Sequence, residues 1–293
     1  MDWKEIERDL SKVLGKPFRV IAAQSVGGGC INDSFLLHGE PRNLFLKRNR
    51  AELLPMFEAE AAGLEEIRGS GSLRAPAPVA VGKDAHGSWL ALEAIKLGAP
   101  SSDTSALLGE QLATMHRRSA PAYGWHRDNY IGRTEQDNHW TGNWVDFFAN
   151  SRLRPQLKLA ANNGACPGLI NAGERLLENL PAFYRTYQPT PSLLHGDLWA
   201  GNWAADDDGD PVIFDPAVYF GDREADLAMT ELFGGFDDRF YQSYRGCWDI
   251  DPGYTTRKVL YNLYHVLNHF HLFGGGYADQ ARDMIDRLNA EAG

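Results

Sequence analysis

The chain has 293 residues, 43% of them hydrophobic, with a formal net charge of −10 and a pI of about 5.4. Such a chain can bury a sizeable core in one large or two small lobes. It has no Lys/Arg run that would build a basic face for nucleic acid, and no apolar run near the roughly 18 residues of a membrane span. The acidity suits a neutral or cationic substrate, or plain solubility. Cys30, Cys166 and Cys247 are odd in number and widely spaced. They match neither a metal site nor a disulfide framework, so a reducing, cytoplasmic setting is expected. The charged, helix-like N-terminus does not read as a signal sequence.

In chain order, residues 2–14 place Trp3, Ile6, Leu10, Val13 and Leu14 near helical spacing. Strand-like runs follow over 18–25, 32–37 and 43–48, separated by Gly27-Gly28-Gly29 and by His38-Gly39-Glu40-Pro41. A helical pattern covers 52–68, and two further strands are predicted over 79–81 and 88–94. From residue 103 the pattern is mostly helical: 104–117 with Asp103 or Ser102 as N-cap, then 142–160, 171–187, 223–233, 237–246, 255–273 and 277–290. A loop over 193–202 and a short hairpin interrupt this series. The expected fold is α+β and bilobal. An N-terminal lobe (1–95) has a five-stranded antiparallel sheet with one main helix, and a helical lobe (96–293) follows a connector containing Gly98 and Pro100.

The densest chemistry lies in residues 193–215. His195-Gly196-Asp197 follows an apolar pair, Asn202 comes five residues after Asp197, and Asp215 ends the run Val212-Ile213-Phe214. Phosphoryl transfer asks little covalent chemistry of a protein. It needs a carboxylate beside the attacking hydroxyl and oxygen ligands for Mg²⁺ on the triphosphate. Kinases place these as a loop Asp, an Asn five residues on, and an Asp after the next strand. A single loop Asp is usually a turn or cap residue, but the joint spacing points to Asp197 as base and Asn202 and Asp215 as metal ligands. Gly27, Gly28 and Gly29 join two strands and can let backbone N–H groups approach phosphate; an ordinary hairpin would look the same. Lys47 sits inside an apolar strand and needs a partner, either ATP phosphates and a helix glutamate or solvent at an edge. Glu58 and Glu60 are the candidates, and Glu60 is preferred for its apolar neighbours. The backbone around Glu93 to Ile95, just before the connector, is the expected adenine contact.

The motifs taken together resemble the fructosamine kinase (ketosamine-3-kinase) family, which shares its protein-kinase-like fold with aminoglycoside phosphotransferases and choline kinases. The resemblance rests on LFLKRN, MFEAEAAGLEEI, LGEQLATMHR, YGWHRDNYIG, NWVDFFANSRLRPQL, HGDLWAGNW and FDPAVYFGDREADLAMTELFGGF. It implies an ATP- and Mg²⁺-dependent phosphotransferase acting on the 3-hydroxyl of ketosamines, free or protein-bound, whose product sheds its amine. It also implies that Asp226 braces the catalytic loop and that Trp199 is a sugar platform; core packing would equally explain that tryptophan. The connector LEAIKLG departs from the family in lacking an aromatic after Glu93.

Other readings stay open at this level. A kinase of aminoglycosides or amino alcohols would share these motifs. A pseudokinase acting through partners would be expected to lack Lys47, Asp197, Asn202 or Asp215, and all four are present. His265 and His269 are one helical turn apart but lack the acidic partner of a zinc motif. Trp140 and Trp144 read as packing residues. Cys30, following three glycines, is a candidate redox thiol or a small residue in a tight turn, so a monomer or a redox-sensitive homodimer is expected.

Overall fold

The computed structural model describes residues 3–27 and 31–293. Helix α1 (Lys4–Leu14) leads into strands β1 (Arg19–Val26), β2 (Asp33–Glu40) and β3 (Leu44–Asn49), then α2 (Leu54–Arg68), β4 (Pro78–Asp84) and β5 (Gly87–Glu93). The five strands form one antiparallel sheet in the order β1-β2-β3-β5-β4. Strand alternation sorts its side chains onto two faces. Leu44 and Leu46 join Leu37, Trp89 and Ala91 against Ile6 and Leu10 of α1. Phe45 faces the other way, toward a core that includes Leu90, Leu92 and the α2 residues Met56, Phe57, Leu64 and Ile67. Lys47 therefore emerges on the α2 face, opposite Leu90 in register.

The connector is stitched down rather than loose. Residues Leu97–Gly98 (β6) pair with the hairpin strand β10 (Trp203–Asp206), which also pairs with β11 (Pro211–Ile213). Helix α3 (Ser102–His116) is capped by Ser101, one residue before Ser102 and two before Asp103, the two expected caps. The Ser101 hydroxyl accepts from the Thr104 N–H at 3.1 Å and the Thr104 hydroxyl accepts from the Ser101 N–H at 3.2 Å, a reciprocal capping box.

The chain then forms a hairpin absent from the sequence reading, β7 (Asn129–Ile131) and β8 (Thr134–Gln136). Its strands are too short to show a period. The helix expected over 142–160 is three pieces: α4 (Trp144–Phe148), a π-turn (Ala149–Leu153) and α5 (Arg154–Asn162). Pro155 has no N–H for the carbonyl of Ser151 four residues back. The Arg152 guanidinium supplies that donor at 2.8 Å. Trp144 is core, 3% exposed, whereas Trp140 is 48% exposed and packs at the surface, its ring centroid 6.0 Å from that of Phe220.

Helix α6 (Pro167–Asn179) precedes β9 (Ser192–Leu194), which pairs with β12 (Tyr219–Gly221) and brackets the HGD loop. Helices α7 (Glu224–Leu232), α8 (Asp238–Cys247), α9 (Tyr254–Phe273) and α10 (Tyr277–Ala292) complete the molecule. No helix among the described residues is long and apolar enough to cross a membrane.

Helix α2 reaches the chain just past Asp215 because residue 63 is glycine: a Cβ there would lie 3.2 Å from Val218 and 3.4 Å from Pro216. Gly63→Val should overpack this contact, lower stability by about 1–3 kcal/mol and push Glu60 away from the cleft. Thermal unfolding together with turnover checks this; an unchanged Tm and rate would show that the contact yields freely.

Candidate active site

A cleft of about 750 Å³ runs between the sheet and the helical part, a size that suits a nucleotide plus a small acceptor. Gly27, Lys47, Glu60, Glu93, Ile95, Asp197, Trp199, Asn202 and Asp215 all line it. These are all the site residues picked from the sequence that fall among the described residues. Gly28, Gly29 and Cys30 lie outside the described residues.

Lys47 is 4% exposed on the α2 face of β3. Its ammonium donates to Glu60 Oε1 at 2.6 Å and to Asp215 Oδ1. Glu60 sits one helical turn after Met56, on the buried stripe of α2. Glu58 lies elsewhere, 4.0 Å from Arg127. Burial alone would lower the Lys47 pKa, but the charges of Asp215 and Glu60 outweigh it and hold the lysine protonated. Burial pushes the Glu60 carboxyl up, against the pull of Lys47.

The HGD loop is shaped from beneath. Gly196 has φ +82°, and a Cβ there would lie 2.1 Å from the carbonyl of Ala217, so only glycine fits. Asp226, on the first turn of α7, accepts from the backbone N–H of His195 at 2.7 Å and of Gly196 at 2.8 Å. His116, the last residue of α3, meets Asp226 Oδ2 through Nε2 at 3.1 Å and Tyr244 through Nδ1 at 2.8 Å. Arg223 donates to the Tyr244 oxygen at 3.0 Å. This settles the protons. Ionised Asp226 only accepts, so neutral His116 donates to it from Nε2, and Nδ1 accepts from the Tyr244 hydroxyl, whose oxygen accepts from Arg223. Burial alone would raise the Asp226 pKa, but these donors keep it below the usual range.

Asp197 is half-buried on the cleft floor. Burial is the main push raising its pKa well above the ordinary value, the charge of Asp215 adds to it, and the Asn202 hydrogen bond opposes it. A raised carboxyl is the stronger proton acceptor. Asn202 donates from Nδ2 to the Asp197 carbonyl at 2.8 Å and toward its Oδ2 at 3.3 Å, which turns its Oδ1 away as a ligand atom. Asp215 has φ +59°, a left-handed conformation that costs a non-glycine residue about 1–3 kcal/mol and concentrates at functional sites. Its side chain is half-exposed to the cleft. Two hard oxygen donors beside room for phosphates fit Mg²⁺, which keeps waters and takes one or two protein ligands.

At the connector, the Glu93 carboxylate is already committed to Arg74 at 3.4 Å and to the Ala77 N–H at 3.1 Å. Only the backbone of this strand end is left for a base. Trp199 is 38% exposed, with its ring edge toward Phe233 at 6.5 Å. His269 donates from Nδ1 to the His265 carbonyl at 2.8 Å, and neither histidine belongs to a metal-ligating group among the described residues. The sequence reading passed over His116, Asn129 and Asn268. Each is held by at least one partner more than 80 residues away, which no local pattern shows.

His116 is fully buried and its pKa is lowered by burial; His265, 5% exposed, is lowered to about 3 by burial and then by His269. Both stay neutral in the folded chain while unfolded histidine titrates near 6.5. The unfolded state therefore takes up protons first as pH falls, and stability should be lost progressively below about pH 6.5. Unfolding midpoints from pH 7.5 to 5 should drop, with a shallower slope in His265→Gln. Equal slopes would remove His265 from the account.

The fructosamine kinase family model matches residues 2–291. A Synechocystis protein named as a ketoamine kinase is 46% identical over 287 residues, covering 97% of this chain and 95% of its own. A chloroplastic protein-ribulosamine 3-kinase of Oryza sativa subsp. indica is 41% identical, over 93% of this chain and 80% of its own. A solved structure named as a fructosamine-3-kinase, from Haemophilus somnus, superposes with a TM-score of 0.90 at 29% identity, covering 98% of this chain and 97% of that one. A solved structure of the aminoglycoside phosphotransferase APH(4)-Ia, at 14% identity and a TM-score of 0.67, covers 99% of this chain and 99% of that one and shows the shared kinase-like fold alone. With residues 2–291 matched and its described site residues lining one cleft, this chain belongs to the fructosamine kinase family.

Proposed function

We propose that this protein is an ATP- and Mg²⁺-dependent ketosamine 3-kinase with lobes dividing near residues 95/96. The carrying observation is that Lys47, Glu60, Asp197, Asn202 and Asp215 surround one cleft in a chain matched end to end by the family. The relatives named as ketoamine and ribulosamine kinases support the acceptor class. Free Cys166 and Cys247 suit a reducing cytoplasm. An intact set of site residues argues against a pseudokinase.

In this reading the triphosphate enters beside Gly27, just past β1, with adenine against the backbone of Glu93 to Ile95. Lys47, held upright by Glu60, exchanges part of its contact with Asp215 for phosphate oxygens. Asn202 Oδ1 and Asp215 would hold Mg²⁺, which when bound neutralises charge on the phosphates. Asp197 accepts the proton of the sugar 3-hydroxyl as that oxygen bonds to the γ-phosphorus. The bond from that phosphorus to the β,γ-bridging oxygen breaks, and ADP carries off the electron pair. Trp199 supplies an apolar face for the sugar. A phosphate at C3, beside the C2 carbonyl, can be eliminated from the enaminol, and water then releases the amine. That outcome is deglycation.

Asp197→Asn should lower kcat by about 10²–10⁴-fold, the range for a positioned general base, with ATP affinity largely kept. Retention of more than about a tenth of the rate would reassign the base. Asp215→Ala should weaken nucleotide binding only where Mg²⁺ is present, because a methyl cannot replace a hard oxygen ligand. Titration calorimetry with and without the metal reads this directly, and an undiminished metal dependence would move the ligand role elsewhere.

A further inference from the structure

The signature segment at residues 143–157 plays no part in the phosphoryl chemistry above. It folds through the π-turn, which buries Arg152 completely. Among the described residues this guanidinium pairs with no carboxylate. Its Nη1 donates to the carbonyls of Asp137 (2.7 Å) and Ser151 (2.8 Å), and its Nη2 donates to Asn138 Oδ1 at 2.6 Å. The rings of Tyr219 and Phe147 lie 4.1 and 4.7 Å away.

That contact has consequences along a chain of amides. Arginine only donates, so Asn138 must turn its oxygen to Arg152 and its nitrogen away. Asn138 Nδ2 then donates to Asn129 Oδ1 at 2.8 Å, and Gln136 Nε2 donates to the same oxygen at 2.9 Å. Asn129 Nδ2 donates to the carbonyl of Val218 at 2.7 Å. The orientation of Asn129 is thus forced from both ends, by a group that only donates and a group that only accepts.

Asn268 on α9 is held the same way. Its Oδ1 accepts from the Thr134 hydroxyl at 2.6 Å and from Gln156 Nε2 at 3.3 Å; its Nδ2 faces the Ile131 carbonyl at 3.4 Å. Gln156 comes from the same signature segment, four residues after Arg152. Both asparagines are 3% exposed, yet both line the cleft. An amide nitrogen carries two hydrogens. One of each is used, and the second has no acceptor among the described residues.

We propose that Asn129 and Asn268 offer these N–H groups to the C2 carbonyl oxygen of the ketosamine, so that the site selects the keto sugar over its reduced polyol. The inference rests on the ketosamine reading and names the recognition within it. A carbonyl oxygen accepts only and satisfies both donors. A polyol carries a hydroxyl at C2 whose hydrogen finds no acceptor on either amide, and an unpaired buried donor is costly. Arg152 and Gln156 act as positioning residues that keep nitrogen rather than oxygen facing the cleft.

The test compares a ketosamine with its borohydride-reduced polyol as acceptors, in wild type and in Asn268→Asp. The aspartate keeps an acceptor for Thr134 and Gln156 but removes the N–H donors. Wild type should favour the ketosamine by about tenfold or more in kcat/KM, the scale of one or two hydrogen bonds. Asn268→Asp should lose about that factor on the ketosamine and narrow the preference, with the Kd for ATP unchanged. Equal use of both acceptors by wild type, or an unaltered preference in a folded Asn268→Asp protein, overturns the inference. The wild-type comparison stands without the variant if Asn268→Asp does not fold. A wild type inert on both acceptors but active on another alcohol would overturn the ketosamine reading itself, and this inference with it.

Discussion

One buried ammonium organises this protein. Lys47 is almost wholly out of water and touches two carboxylates, Glu60 on α2 and Asp215 in the loop just past β11. An unpaired charge at that depth would be expensive. The sheet, α2 and the loop after β11 are therefore bound to one relative placement. The close approach of α2 at Gly63 and the left-handed backbone of Asp215 both serve that placement.

The second constraint lies under the HGD loop. A loop cannot hold a carboxylate in place by itself, because its backbone N–H groups need acceptors once buried. Asp226 provides them for His195 and Gly196. Asp226 is fixed in turn through His116 and Tyr244, from α3 and α8. Three helices thus converge on the backbone of a loop whose next residue is Asp197. The energetic weight rests on hydrogen bonds made by groups well behind the cleft, and the cleft-facing atoms stay free for ligands.

The half of the cleft built by β7 and α9 follows a different logic. Besides Tyr130, His265 and His269 it carries two buried amides, Asn129 and Asn268, and what these present is decided by their neighbours. An asparagine can show a cleft either its oxygen or its nitrogen at little intrinsic cost. The buried guanidinium of Arg152, with neutral acceptors only, removes that choice for Asn129. A π-turn and a proline thereby become part of what fixes the orientation of the Asn129 amide.

Much of this was legible in the chain alone. Lys47 stood out as a charge inside an apolar strand that needs a partner, and Glu60 was preferred over Glu58 for its apolar neighbours. The HGD-to-Asn spacing and the Asp after an apolar strand are set by local backbone geometry, so they survive in sequence as a pattern. The β7–β8 hairpin, the Ser101 cap and the split of the helix at Pro155 are local features whose segments are too short to show a period, whereas the exposure of Trp140 was decided only when distant segments met. The same is true of His116, Asn129 and Asn268. Local sequence carries periods and turn chemistry, whereas a hydrogen bond between residues more than a hundred positions apart, as between His116 and Asp226, depends on where two elements end up in space.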